Sequence, residues 1–337
     1  YGKKWLKEIK KTKLARATIQ SYERNLNNHL IPHFGKKRID AIDYQAVKGF
    51  VVTMADAVKP SRSKDKKRKG TERYSKDSIR IMVATLRLIL TEAAREGLIA
   101  ANPVQGVGKF YSGSPTKRKI DPFTPKELEK IHKVAAKRVP EYHDFILSMS
   151  EAGLRVGESM ARKVTDLDFR KYQIVVDSGI NSGEYLGEIG ETKTEASNRR
   201  VDMSRRLEKA LKALLRRRAE AKLRGKLQPE LLFTIGGKQI EYSHFHDAWK
   251  RILTLAKVRY RNPHQLRHSW ISILLSRGAP IPYVSNQAGH KDPSITLRLY
   301  AKWIPRKGSR DNLDLLRPES ENPRNTGVDR SEASSWE

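Results

Sequence analysis

The sequence predicts a mainly α fold carrying one small antiparallel β-sheet, an α+β arrangement spread over two domains. Three observations predict it. Apolar residues recur at helical spacing through most of the chain. One segment alone, Tyr172 to Ser204, breaks into short β-branched runs punctuated by Gly, Asn and Ser. The length, 337 residues, exceeds a single domain of roughly 100–200 residues.

The N-terminal part reads as helices. "ARATIQSYERNLNNHLIPHFG" places apolar residues at Ile19, Tyr22 and Leu26, with Thr18 as the expected cap and a stop at Pro32–Gly35. "DAIDYQAVKGFVVTMADAV" is a second helical pattern. In the following stretch, nine of the eighteen residues from Lys59 to Lys76 are Lys or Arg. Such a run is a solvated loop, a contact to a polyanion backbone, or both. "SKDSIRIMVATLRLILTEAAREG" is an amphipathic helix that ends near Gly97. A basic Gly-, Ser- and Pro-rich stretch then marks a boundary. Residues 1–112 form the expected first domain and 113–121 the linker. Residues 122–306 form the second domain, and 307–337 a polar tail that holds one apolar patch, Leu313, Leu315 and Leu316.

The second domain opens at Thr124–Pro125, with Glu127 at capping-box spacing. A helix follows through "PEYHDFILSMSEAG", and a three-stranded antiparallel sheet is expected within "YQIVVDSG … EYLGEIGE … RRVDMS". "SRRLEKALKALLRRRAEAKLRG" is a helix with a heavily basic face, and helices resume from Ser243 to Trp303.

Composition narrows the partners. There are no cysteines, which excludes disulfides, zinc knuckles and a thiol nucleophile. No run of about 18 apolar residues is present, so no transmembrane helix and no membrane partner are expected. The N-terminus lacks a signal-peptide core and does not begin with Met, so a fragment or processed chain is expected. The formal charge is +30, with a pI near 10.2. Such an excess repels itself unless a polyanion is the partner, and neutralised phosphates release condensed counterions. Nucleic acid binding is the expectation, with a cytoplasmic, nucleoid-associated location.

Five short motifs carry chemistry. In "EAGLRVGES" a helix stops at Gly153 and Arg155 is presented at the turn, where its five-donor fork can meet a phosphate; a surface pair with Glu158 would use the same residues. In "GETKTEASNRRV" Lys193 falls at a turn between strands, either solvated or able to donate a proton. In "RNPHQLRHSW" Asn262 is the expected cap and Pro263 the first helical residue, which puts His264 and Arg267 one turn apart beside an anion-favouring helix start. Leu266, Trp270, Ile273 and Leu274 would anchor that helix. His290 follows Gly289, and Tyr300 lies in a helix that starts at Asp292–Pro293. Taken singly, each has an ordinary structural explanation.

In their order and spacing, these pieces resemble the tyrosine recombinase family, the lambda-type phage integrases and their relatives. "GLRVGE" looks like the family's first-arginine motif, "TKT" like its hairpin lysine, "HQLRHS" like its second-arginine motif and "AGH…TLRLYAK" like its C-terminal box. "VTDLDF" and "LLFTIGG" also match family positions, and the first 110 or so residues resemble its helical, SAM-like core-binding domain. Gln265 stands where an Asp is common, and Gln287–Ala288 where a Leu commonly precedes Gly-His.

The resemblance implies a C-shaped clamp on DNA and cleavage of one strand by Tyr300, giving a 3′-phosphotyrosyl link and a free 5′-hydroxyl. It makes Arg155 and Arg267 the phosphate clamp, His264 and His290 hydrogen-bond donors that assist proton transfer, and Lys193 the acid for the leaving 5′-oxygen. Glu158 supports the arginines. Lys64, Lys66, Lys67, Arg68 and Lys69 of the basic run become expected DNA contacts. No metal or other cofactor is expected. The partners implied are double-stranded attachment sites and a homo-tetramer on two duplexes, with room for DNA-bending accessory proteins. Integration or excision of a phage or other mobile element follows from the same likeness. A type IB topoisomerase and a non-catalytic DNA-binding protein are the competing readings.

Overall fold

The computed structural model describes residues 1–59, 73–104, 120–180, 189–191, 198–225 and 229–304. The chain divides into two compact units between Lys119 and Ile120.

The first unit is helical: α1 (Gly2–Ile9), α2 (Arg16–Asn25), α3 (Ile31–Phe34), α4 (Tyr44–Asp56) and α5 (Lys76–Arg95). The long α5 starts where the Ser75 side chain accepts the Ser78 N–H, and it ends before Gly97 at φ +74°. Its buried stripe, Ile79, Met82, Val83, Leu86, Ile89 and Leu90, keeps one face of a 3.6-residue period. That stripe packs on Trp5, Leu26, Leu30, Phe34, Val47 and Phe50. The buried Asn25 amide donates to Thr85 Oγ1 at 2.9 Å and ties α2 to α5. One local expectation is corrected here. Thr18 does not cap α2, because its N–H is already bonded to the Ala15 carbonyl at 2.8 Å inside the first turn. The expected stop at Pro32–Gly35 is where the helical course ends: after the π-helical turn Leu26–Leu30, Pro32 sits in the first turn of the short α3 and Gly35 caps it.

The second unit runs α6 (Pro125–Arg138), α7 (Pro140–Glu151), α8 (Val156–Ala161), β1 (Leu167–Asp168), β2 (Gln173–Val176), β3 (Ser178–Ile180), β4 (Ile189–Glu191), β5 (Arg199–Asp202) and α9 (Arg205–Leu223). It continues with β6 (Thr234–Ile235), β7 (Lys238–Gln239), α10 (Tyr242–Leu255), α11 (Gln265–Ser276), α12 (Ile281–Ala288) and α13 (Pro293–Tyr300). At α6 the full Thr124–Glu127 capping box forms. The antiparallel strands are more divided than expected. The three-stranded sheet has the order β1-β2-β5, with Ile174 opposite Val201, and β3 and β4 pair separately with Gly179 opposite Gly190. The third strand of the sheet therefore comes from "LD" upstream, and "IGE" belongs to its own hairpin.

Phe145, Phe245 and Trp249 centre the main core, with α7, α9 and α10 around them. A smaller cluster of Trp270, Ile271, Leu275, Val284, Ala288 and Tyr300 joins α11, α12 and α13. Ile271 and Leu275, rather than the expected Ile273, hold α11 in place together with Leu266 and Trp270. Arg162 is wholly buried and braces α8 against the strands. It donates to the carbonyls of Glu158, Val175 and Ser178 and pairs with Asp166 at 2.9 Å. Among the described residues, no helix is long and apolar enough to cross a membrane.

Candidate active site

The turn between α7 and α8 presents the first cation. Gly153 takes φ +61°, and a Cβ there would lie 2.5 Å from a Trp270 ring carbon, so only glycine lets the chain turn over that ring. Arg155 then starts α8. Its backbone N–H donates to Glu158 Oε2 at 2.9 Å and its guanidinium to Glu158 Oε1 at 2.6 Å. The Arg155 side chain keeps 37% exposure and so can meet a ligand.

Glu158 is buried and also takes Arg199 of β5, whose Nη1 and Nη2 reach its two oxygens at 3.1 and 2.9 Å. Burial alone would raise the carboxyl. The Arg199 hydrogen bonds and the charges of Arg199, Arg267 and Arg155 outweigh that and hold it well below the usual carboxylate range. Arg199 Nε also donates to the Gln287 carbonyl at 2.8 Å, tying β5 to the end of α12.

Arg267 comes from the first turn of α11. It is fully enclosed, and it donates to the Gly153 carbonyl at 2.7 Å and to the Ala288 carbonyl. Those bonds fix the plane of the guanidinium, and the fork has five N–H groups in all. Burial, then the nearby Arg155 charge, lowers its pKa to about 9, so the cation persists at neutral pH. The helix begins later than expected: the Asn262 side chain does not cap it, and His264 occupies the cap position in helical geometry. The Asn262 and Pro263 carbonyls instead accept from Gln265 and Leu266 in a tight turn ahead of α11.

Three histidines surround the phenol. The rings of His264 and His268 meet edge-on at 4.8 Å, and the His268 and Tyr300 centroids lie 5.8 Å apart. His268 Nδ1 is hydrogen-bonded to the Tyr300 hydroxyl. His290 follows Gly289, which takes φ +61° at the end of α12, and stacks on Tyr300 at 6.5 Å. Its Nδ1 is engaged with Thr296 Oγ1 at 2.7 Å. Burial lowers the pKa of His264, His268 and His290 to about 4 each, helped by Arg267 and Arg155 at His264 and His290 and by the neighbouring His264 and Arg267 at His268, so all three are neutral at pH 7. Tyr300 is 1% exposed, and burial raises its hydroxyl to about 12 against the opposing pull of Arg267 and Arg155.

The structure therefore brings together Arg155, Glu158, His264, Arg267, His290 and Tyr300. Lys193 and the run Lys64, Lys66, Lys67, Arg68 and Lys69 lie outside the described residues, as does the Leu313–Leu316 patch.

The sequence profile of the phage integrase family matches residues 122–304, and that of its N-terminal SAM-like domain matches residues 1–54. The chain belongs to the phage integrase family. It is a tyrosine-type site-specific recombinase of the kind that mobile elements encode. This integrase is 28% identical to a tyrosine recombinase XerC-like protein of Caldanaerobacter subterraneus over 90% of its own chain and 78% of that protein. It is 23% identical to the ICEBs1 integrase of Bacillus subtilis over 86% and 76% of the two chains. In fold it is similar to the Tn1549 transposon integrase, solved with a circular intermediate DNA. There the TM-score is 0.73 at 18% identity, covering 94% of this chain and 98% of that one. The lambda integrase dimer bound to a core site gives 0.60 at 14% identity, covering 87% and 95%.

Two members of the integrase's cluster are not singled out by the sequence reading, His268 and Arg199. His268 had a signal, since it lies four residues after His264 and so on the same face of α11. Arg199 had little: it is the first of two adjacent arginines in "SNRRV", and only the strand's orientation buries one and exposes the other. The two departures from the family pattern have local partners. Gln265 accepts the Asp121 N–H at 3.2 Å, and Gln287 accepts the Asp202 N–H at 2.8 Å along the edge of β5.

Proposed function

We propose that Tyr300 attacks the scissile phosphate of double-stranded DNA and forms a 3′-phosphotyrosyl link, releasing a 5′-hydroxyl. One observation carries this reading: a single tyrosine hydroxyl lies within a shell of two arginines and three neutral histidines contributed by α8, α11 and the α12–α13 turn. A phenol is a weak nucleophile at neutral pH and needs both a proton acceptor and cations at the phosphate. Arg155 and Arg267 meet the non-bridging oxygens, and donors so preorganised are each worth about 3–4 kcal/mol in the transition state. His264 and His290 add hydrogen bonds and assist proton movement at the tyrosine. Lys193 protonates the leaving 5′-oxygen. Glu158 holds Arg155 at the turn and does not react.

The covalent link conserves the phosphodiester, so resealing needs no nucleotide cofactor. Attack by a 5′-hydroxyl from a second duplex makes the reaction recombination, carried out by a homo-tetramer on two attachment sites with DNA-bending proteins as helpers. Residues 1–112 act as the core-binding domain and 122–306 as the catalytic domain. Lys64, Lys66, Lys67, Arg68 and Lys69 contact the DNA backbone. The substrate is the attachment site of a phage or other mobile element, integrated or excised in the cell's nucleoid.

The test is an attachment-site duplex nicked beside the cleavage position, which traps the intermediate. The parent protein is expected to give an SDS-resistant protein–DNA adduct and Tyr300→Phe none. An adduct that survives in Tyr300→Phe overturns the reading.

A further inference from the structure

The buried Tyr300 hydroxyl carries a proton, and a buried donor needs an acceptor. Among the described residues, the acceptor within reach is His268 Nδ1. The other two histidines are placed differently. His290 spends its Nδ1 on Thr296 and meets Tyr300 face to face, its ring 19° from parallel. His264 touches the edge of the His268 ring. His268 itself comes from α11 immediately after Arg267, so the side chain that would hold the phosphate and the one that holds the phenol proton share one helical turn.

We propose that His268 is the general base of this recombinase, its Nδ1 taking the proton from Tyr300 Oη as that oxygen bonds to the scissile phosphorus. This rests on the reading of Tyr300 as the nucleophile. As the Tyr300 O–P bond forms, the bond from phosphorus to the 5′-oxygen breaks and its electron pair stays on that oxygen. The oxygen is protonated from Lys193, while the phenol proton rests on His268. On resealing, the 5′-hydroxyl attacks and returns its proton to the lysine. The P–O bond to Tyr300 breaks, and His268 gives the phenol its proton back. Nothing is consumed.

The charges around the pair keep it idle without DNA. His268 is faced by Arg267 and His264 on its own helix, by His290 after α12 and by Tyr300 of α13. With burial, these neighbours hold the imidazole at about 4 and the phenol at about 12, so the proton stays on Tyr300. A bound phosphodiester brings negative charge against Arg267 and Arg155, which offsets the cations that oppose an imidazolium. Proton transfer is then coupled to substrate arrival.

The experiment measures adduct formation on the nicked duplex for the parent, Tyr300→Phe, His268→Asn and His268→Ala. Asn keeps a hydrogen-bond acceptor near the Nδ1 position but takes up no proton. His268→Asn should slow the adduct by about 10²–10⁴-fold at neutral pH, the usual contribution of a positioned base. Its residual rate should climb about tenfold per pH unit, as the phenol loses its proton to hydroxide, while the parent stays level. Added imidazole should restore part of the rate in His268→Ala. If His268→Asn cleaves within about threefold of the parent with the same pH profile, His268 merely holds the ring. A loss in both variants with neither pH dependence nor imidazole rescue overturns the proposal as well. No adduct from the parent, or one from Tyr300→Phe, strikes the nucleophile assignment instead.

Discussion

Glu158 is the residue on which the charges of the site balance. Two guanidinium groups converge on its carboxylate, one from the cap position at the start of its own helix and one from β5. Removing one partner of a buried ion pair strands the other charge, at a cost of about 3–5 kcal/mol. Glu158→Ala should therefore destabilise the protein by about that amount in urea unfolding, since the buried Arg199 charge loses its carboxylate. Arg199→Met should cost a similar amount, and the double variant clearly less than the sum of the two. Strict additivity would show that the two residues do not act as a pair. Arg155→Lys should spare stability, because its side chain is partly exposed, yet slow adduct formation by losing the planar fork. Sequence spacing made the Arg155–Glu158 contact legible, because they are three residues apart. It could not reveal Arg199, whose approach depends on which face of β5 turns inward.

At the scale of elements, α8 and β3 are held closer than side chains normally allow. A Cβ on Gly157 would meet the Ile180 carbonyl oxygen at 2.2 Å, and that oxygen belongs to backbone, which cannot swing aside. Gly157→Ala should force α8 away from β3 and cost about 1–3 kcal/mol, the usual range for overpacking. Because Arg155 and Glu158 flank this glycine, adduct formation should fall as well. An alanine variant that keeps both the parent's melting temperature and its rate would refute the close packing. Elements with local signals were the readable ones: the Thr124 capping box, the left-handed Gly153 and the Asp292–Pro293 helix start. Strand pairing was not readable in full. Leu167–Asp168 is too short to show alternation, and its partnership with β2 is a tertiary fact. The start of α11 departs from expectation for a related reason. Asn262 and Pro263 suit a cap and a first helical turn as well as they suit the tight turn they make.

Over the whole molecule, buried histidines and excess cations set two dependences on solution conditions. Burial holds His132 at about 3 and His264, His268 and His290 at about 4, against 6.5 for a free imidazole. From 6.5 downward the unfolded chain therefore binds more protons than the folded one, so stability falls as pH falls through that window. Glu158, with its lowered pKa, adds a loss of the same sign once the pH passes below the ordinary carboxylate value. The melting temperature should drop between about pH 7 and pH 5, and a level trace there would contradict the buried neutral imidazoles. The second dependence is on salt. A chain with a formal charge of +30 should bind duplex DNA largely by displacing condensed counterions. If about six to ten phosphates are neutralised, affinity should fall about 10³–10⁵-fold between 50 and 200 mM salt. Replacing Lys64, Lys66, Lys67, Arg68 and Lys69 with glutamine asks whether that run touches the backbone. Every phosphate that the variant no longer neutralises should flatten the log–log slope by about 0.9, measured by fluorescence anisotropy on a labelled duplex. An unchanged slope would assign the run to solvent and leave the DNA backbone to the rest of the basic surface.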